Sequence, residues 1–366
     1  MIPWILEPRD TVMLGDGRPI QAGALRMHSL LSPWPSTLAG LVRTRLATDE
    51  NGTFTVSADA SRQITVLGPW LAELAATGEP IRPLFPAPAD VVWFESPGGG
   101  VVRIRLQPAP SPEGADSDLA HRDRQLDLVA PASEPPAGKP VRGPLFWTEE
   151  ELVGWLVAPP DRDECGTLPG RAGPVREQRV HVSIASGTRT AEDGKLFSTE
   201  GLRFAVREPG SGELRRLALA FGCEAATLSR GTVLLGGERR PVFLREGAAV
   251  LWPQPPAWPA GAKRLRVVLV TPALFREGAV PREIAGAKVV AACVGRPEIV
   301  SGFSTEKERF GPKPTRRMAP AGSVYWVEPP PGVPAAQWAG ERWMTCVSDE
   351  EQDRRDGFGL CLVGVG

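Results

Sequence analysis

Three histidines and three clusters of basic residues are the parts of this 366-residue chain that could do chemistry or hold a charged ligand. Imidazole changes charge near neutral pH, so His28 or His181 could act as general acid or base in cutting a phosphodiester. His121 falls in a stretch with no periodicity. None of the three belongs to an HExxH pattern, which excludes a zincin site. There is no GxSxG elbow, and no GxGxxG opens a helix after a strand. The stretch GTRTAEDGKL at 187–196 has glycines too far apart for a phosphate loop and no Ser or Thr after Lys195, so it reads as a hairpin tip. Acid groups at Glu149–Glu151 and Glu350-Glu351 fall at a helix start and in a charged loop, where solvated surface is the simpler reading.

The basic clusters carry more. Arg43 and Arg45 lie on a first helix, Arg239 and Arg240 follow Gly236-Gly237, and Lys313, Arg316 and Arg317 lie in FGPKPTRRMAP. Each alone is ordinarily a solvated face. Three of them beside glycine turns or a helix start are what a groove along a phosphate backbone needs. Leu196 and Phe197, expected at the hairpin tip, have no core of their own there and could wedge between bases or dock on a partner. His181 and Arg189 in the same β unit join the candidate RNA contacts.

The elements that must position these groups start with Gly17–Leu46, which reads as strand, Pro-rich turn and helix. Pro33 and Pro35 hold the approach extended, and Ser36 or Thr37 can cap the first free N–H groups. Leu38, Leu41, Val42 and Leu46 mark a buried face, while Gly40, Arg43 and Thr44 share another. A glycine inside a helix costs about 1 kcal/mol against alanine. Close approach of the sheet beneath or of a ligand above would each explain Gly40, and both readings stay open.

Farther on, ITVLGPWLAEL reads as a strand entering a short helix, and PLFPAPADVVWFE with VVRIRL as paired strands. Residues 107–143 lose all periodicity and read as an inserted, mobile loop. Thr148 with Glu151 forms a capping box for a helix stopped by Pro159-Pro160. VREQRVHVSIAS is answered by GLRFAVRE, with TRTAEDGKLFSTE between them. A short helix is expected at Ala273–Arg276. Strands dominate, and the loose order in each half fits an α+β fold of two tandem sandwiches, residues 1–228 with insertions and residues 229–366.

Composition sets the frame. Forty-two basic against 43 acidic residues give a net charge of −1, which excludes a generically basic coat for nucleic acid but not a local basic groove. No apolar run reaches the roughly 20 residues of a membrane helix, and a cytoplasmic protein is expected. The five cysteines form no CxxC pair, so they are expected to be reduced thiols, with no metal and no cofactor.

Several of these stretches together resemble a known family. GRPIQAG followed by PWPSTLAGLVRTRL is similar to the N-terminal signature of RAMP-superfamily CRISPR proteins, in particular the third-subunit family of the type III-B (Cmr) effector complex. The β unit from Arg179 with its EDG tip, LLGGERRPVF, PAGSVYWVE and GFGLCLVG follow in the family's order. Ile20 departs from the pattern, which has an aromatic there, and the insert at 107–143 has no counterpart. The resemblance implies two ferredoxin-like (RRM-like) domains and no catalysis. It also implies a subunit that caps the 5′ repeat-derived handle of the guide RNA and touches both the large polymerase/cyclase-like signalling subunit and the repeated backbone subunit, with no membrane. Carried onto matching positions, the RNA contacts are Arg18, His28, Thr37, Gly40, Arg43 and Arg45, then Gly236, Gly237, Arg239 and Arg240, then Gly357, Phe358 and Gly359. Lys313, Arg316 and Arg317 rest on charge alone. Two other readings remain: a RAMP endoribonuclease that processes guide precursors with His28 or His181, and an architectural subunit whose arginines meet acidic protein surfaces.

Overall fold

Apolar residues in this chain recur mostly with period two, and strands follow from that. The computed structural model describes residues 1–15, 26–49, 51–110, 112, 114, 126–207, 212–259, 261–304 and 310–366. Among them lie five α-helices: α1 (Pro35–Ala47), α2 (Ala58–Arg62), α3 (Glu149–Val157), α4 (Ala335–Arg342) and α5 (Glu351–Arg355). None is long and apolar enough to cross a membrane.

Two antiparallel sheets organise the molecule. The main path of the first runs Gly231–Leu235, Arg240–Glu246, Ile2–Pro8, Leu214–Cys223, Val66–Leu74, Pro80–Pro86, Phe146–Thr148. The second runs Glu283–Ile284, Ala287–Cys293, Val324–Glu328, Leu265–Leu269, Leu360–Val365, Thr345–Cys346. Ile2–Pro8, Val66–Leu74, Leu214–Cys223 and Arg240–Glu246 are the first sheet's four central strands in chain order. They lie side by side as fourth, first, third, second, and the four long strands of the second sheet do the same. Each sheet keeps one crossover helix, α1 in the first and α4 in the second. The crossover at 270–286 has no helix. Its Ala273, expected in a short helix, instead makes a β-bridge with Ala319.

Burial alternates along the strands and defines layers. One face of the first sheet, with Trp4, Leu6, Leu71 and Leu219, covers Leu38, Ala39 and Val42 of α1. One face of the second, with Leu265, Val267, Tyr325 and Val363, covers Trp338 and Ala339 of α4. The other two faces meet. Ile5, Trp70, Ala72 and Ala220 share a core with Val268, Val324, Trp326 and Leu362, and Leu152, Trp155 and Leu156 of α3 complete it. α1 and α4 therefore lie outside, and the two faces they leave uncovered meet inside, with α3 beside them.

Several expectations are corrected by strand pairing. The boundary expected between 228 and 229 falls inside a sheet: Arg240–Glu246 pairs with Ile2–Pro8 and carries Gly231–Leu235 with it, so the first sheet runs to Glu246. Residues 64–74 contain no helix, because Val66–Leu74 is buried between two neighbouring strands. The partner of Val175–Ile184 is Ala191–Arg203, which turns the EDG stretch and Phe197 into strand and moves the tip to 185–190. Arg189 makes that turn in the left-handed region at φ 57°. Within the Pro-rich insert, residues 128–131 pair with Val101–Ala109, and Val141 N–H donates to the Trp93 carbonyl. The first turn of α1 has Trp34 at its N-cap and Pro35 inside, so neither Ser36 nor Thr37 caps it. The capping box on α3 is present: Glu151 N–H donates to Thr148 Oγ1 at 3.3 Å, and Thr148 N–H to Glu151 Oε2 at 2.8 Å.

A buried ion pair crosses the shared core. Asp90 and Arg266 are both fully buried, and Arg266 Nη1 donates to Asp90 Oδ2. Arg266 Nε reaches the Val365 carbonyl at 2.6 Å, and Nη2 reaches that of Trp155 at 2.6 Å. Trp155 Nε1–H donates to Asp90 Oδ1 at 2.9 Å. Burial draws the Arg266 pKa down and the Asp90 charge opposes it; a guanidinium stays charged regardless. Arg103 lies over the rings of Trp93, Trp147 and Trp155 at 5.9, 5.6 and 5.0 Å. Removing one member of such a pair strands the other charge, so Asp90→Ala is expected to cost about 3–5 kcal/mol. Urea unfolding measures it, and a loss under about 1 kcal/mol would show that the pair does not hold the two sheets.

Candidate nucleic-acid interface

An open cleft of about 1050 Å³ lies on the outer side of α1. One wall is the exposed stripe Ser36, Gly40, Thr44, four residues apart on successive turns. A Cβ built on Gly40 meets nothing within 4 Å, so the glycine is not there to let the sheet approach. It leaves helix backbone bare toward the cleft. Across the cleft are Lys313 and Arg316. Lys313 is exposed, its backbone N–H donates to the Gly302 carbonyl at 2.7 Å, and its ammonium has no ion-pair partner among the described residues. Arg316 is held in place by a two-pronged bond to buried Asp353, at 2.8 and 2.9 Å. Phe54 stands at the rim with 69% of its surface exposed, on a loop closed by the Thr48–Phe54 bridge. Residues 48–62 are mostly polar, so the lone aromatic among them is the only sequence signal for this position, and it is a weak one.

Arg43, expected as an RNA contact, lies in the cleft wall with its guanidinium bonded within the protein. It is 8% exposed, and its donors are occupied by the Ile64 carbonyl at 2.8 and 3.1 Å, Asp356 Oδ1 at 2.5 Å and the Arg355 carbonyl at 3.2 Å. Arg45 turns to the Ser229 hydroxyl at 2.9 Å. The C-terminal glycine loop is likewise internal. Gly357 has φ 94°, and a Cβ there would sit 2.8 Å from the Val66 carbonyl oxygen and 2.7 Å from that of Gly68. Phe358 is 1% exposed, and Gly359 N–H donates to the Pro272 carbonyl. All three are buried.

Residues 4–366 match the family model described as CRISPR-associated protein (Cas_Cmr3). The chain belongs to that family. The family is the one the signatures implied, that of type III-B (Cmr) complex subunits. No curated protein matches the sequence. Among solved structures, it is similar to a chain of the cryo-EM structure of the type III-B Cmr-beta bound to cognate target RNA and AMPPnP, state 1. That match has a TM-score of 0.46 at 13% identity and covers 88% of this chain and 86% of that one. A chain of the Cmr-beta structure with cognate target RNA alone gives 0.43 at 15%, with the same coverages.

Several other signature residues of this Cas_Cmr3 family member lie around the 175–203 hairpin and its root. Gly236 lies so close to the Met13 carbonyl that a Cβ would collide with it, and Gly237 N–H donates to that oxygen at 2.7 Å. Arg240 bonds Glu238 at 2.6 Å and Asp10 at 3.4 Å, and Asp10 also holds Arg179 at 3.1 Å. Arg239 is exposed. His28 is half exposed, with Nδ1 3.6 Å from Glu200, whose other oxygen binds Arg176. His181 stacks on Phe197 at 5.2 Å and 17°, and its Nε2 meets Thr199 Oγ1 at 2.9 Å. Arg189 is exposed at the hairpin turn, Thr37 on the first turn of α1, and Arg317 on the outward side of the 316–318 strand opposite Ile299. Arg18 and His121 lie outside the described residues. The candidates thus form two groups, a cleft and a hairpin root, rather than one cradle.

Two expectations follow. Arg43→Ala leaves Asp356 and the Ile64 carbonyl without their donor, so it should lower stability by about 2–3 kcal/mol in a thermal melt without RNA. An unchanged melting temperature would return Arg43 to the surface role. Burial raises the Glu200 pKa, but the Ser29 N–H, the Arg176 bond and charge, and the His28 charge outweigh it and hold the carboxyl below its ordinary value. A depressed folded pKa gives stability that is present above the unfolded value of about 4.3 and lost as pH falls through the folded one. The protection of Ser29 N–H relative to its intrinsic exchange rate at each pH should therefore fall on acidification below about pH 4.3, and Glu200→Gln should abolish that dependence.

Proposed function

We propose that this chain is a non-catalytic RNA-binding subunit of a type III-B CRISPR effector. In this role it caps the 5′ repeat-derived handle of the guide RNA and bridges the large signalling subunit to the repeated backbone subunit. The observation that carries the reading is the cleft, where bare helix backbone at Gly40, the unpaired Lys313 and the exposed ring of Phe54 face one space. Single-stranded RNA needs those three things: somewhere for the backbone to approach, a cation for phosphate, and a ring for a splayed base. Arg239, Arg189 and the His181–Phe197 stack extend the basic and aromatic surface at the hairpin. The strand order in each sheet supports a reading as two ferredoxin-like units, the first ending after Glu246. His181, with its ring stacked and its Nε2 bonded to Thr199, is poorly disposed to move a proton on a substrate.

Binding of handle RNA to the purified chain tests this. Lys313→Ala should weaken binding and reduce the salt slope by about 1, and Phe54→Ala should cost about 1–3 kcal/mol. Repeat-containing RNA should stay intact. Cleavage that disappears in His28→Ala or His181→Ala would overturn the non-catalytic reading in favour of the endoribonuclease. A photocrosslinkable handle in the assembled complex that leaves no adduct on this chain would favour the architectural one.

A further inference from the structure

A second, smaller cavity, about 190 Å³, lies where the two sheets meet beneath residues 30–34. Its walls are apolar and partly aromatic, including Trp34, Pro69, Trp70, Phe146 and Pro272. One ionisable group, Glu298, lines it. We propose that this cavity receives an arginine side chain from a partner polypeptide, with Glu298 as its counter-ion.

Glu298 belongs to a two-stranded ribbon, 298–300 with 316–318. Alternation puts it on the same side as Val300 and Met318, both buried, so it faces inward. The cation on that side, Arg316, is taken by Asp353. Among the described residues nothing pairs with the Glu298 carboxylate, and burial pushes its pKa up. A half-buried carboxylate without a partner is costly, and an incoming cation relieves that cost. The space is well below the 300 Å³ or so of an ordinary small-molecule pocket and suits a single side chain. Trp and Pro walls favour the planar, weakly hydrated guanidinium over an ammonium. Leu145, in the cavity wall and 37% exposed, gives the neighbourhood an apolar surface that a polypeptide covers and a free polyamine does not.

The test titrates the full chain with N-acetyl-arginine methylamide and with its neutral isostere N-acetyl-citrulline methylamide, read by saturation-transfer NMR and the Trp34 indole resonance. The arginine probe should bind about tenfold or more tightly than the citrulline probe, and Glu298→Gln should erase the difference without lowering the melting temperature. Equal binding, no binding, or a preference that survives Glu298→Gln overturns the proposal. Putrescine binding more tightly than capped arginine overturns the polypeptide source. Handle-RNA affinity should not change in Glu298→Gln, which keeps this outcome separate from that of the proposed cleft.

Discussion

The helix-free faces of the two sheets are packed on each other, and most of the architecture depends on that one contact. An antiparallel sheet with helices on one side ordinarily leaves its other side to solvent or ligand. Here that side is Ile5, Trp70, Ala72 and Ala220 against Val268, Val324, Trp326 and Leu362. Apolar burial supplies the drive, while Asp90 and Arg266 supply register, since a charge pair with no water around it tolerates little displacement. Tryptophans from three segments close around Arg103 at the same seam. Neither of the two large sheets therefore offers its inner face to a ligand.

The cleft there is assembled from distant parts of the chain by α5. Asp356 just beyond that helix holds Arg43 of α1, and Asp353 within it holds Arg316 of the 316–318 strand. Gly357 then passes close enough to Val66 and Gly68 to exclude any side chain. Five residues of helix thus set the distance between the Gly40 stripe and Lys313. The terminal glycine loop acts on the cleft through position, not through contact. Arg43 belongs to the same scaffold, which explains why a basic residue in a signature helix is buried.

Local signals were legible where the physics is local. The capping box at Thr148 and Glu151 needs four consecutive residues and is found as expected. The periodicity of Leu38 and Val42 marked the buried side of α1 correctly. What could not be read depends on partners far along the chain. Arg43 and Arg45 look alike in sequence, yet one is enclosed because Asp356 arrives 313 residues later. Gly231–Glu246 looks like the opening of a second half until Ile2–Pro8 takes it as a neighbour. The hairpin was misread because DG suggests a turn, whereas 185–190 turns through Arg189 and leaves Gly194 in the strand. Phe54 drew no notice because its loop is otherwise polar.

The same distinction ranks the basic clusters. A guanidinium already bonded to carboxylates within about 3.5 Å offers a phosphate little, because the new contact replaces an existing one. Arg240 and Arg179 share Asp10, Arg316 holds Asp353, and Arg43 holds Asp356. Lys313, Arg239, Arg317 and Arg189 are exposed and free of ion pairs among the described residues. Each stands one step along the chain or across a turn from a committed arginine or a strand end. The paired arginines are engaged within the protein, and the unpaired cations stay exposed. A polyanion meeting this surface would thus contact single charges at separate sites, with the cleft alone adding bare backbone and an aromatic ring to its charge. That combination, more than the density of arginine, is what sets the cleft apart from the hairpin root.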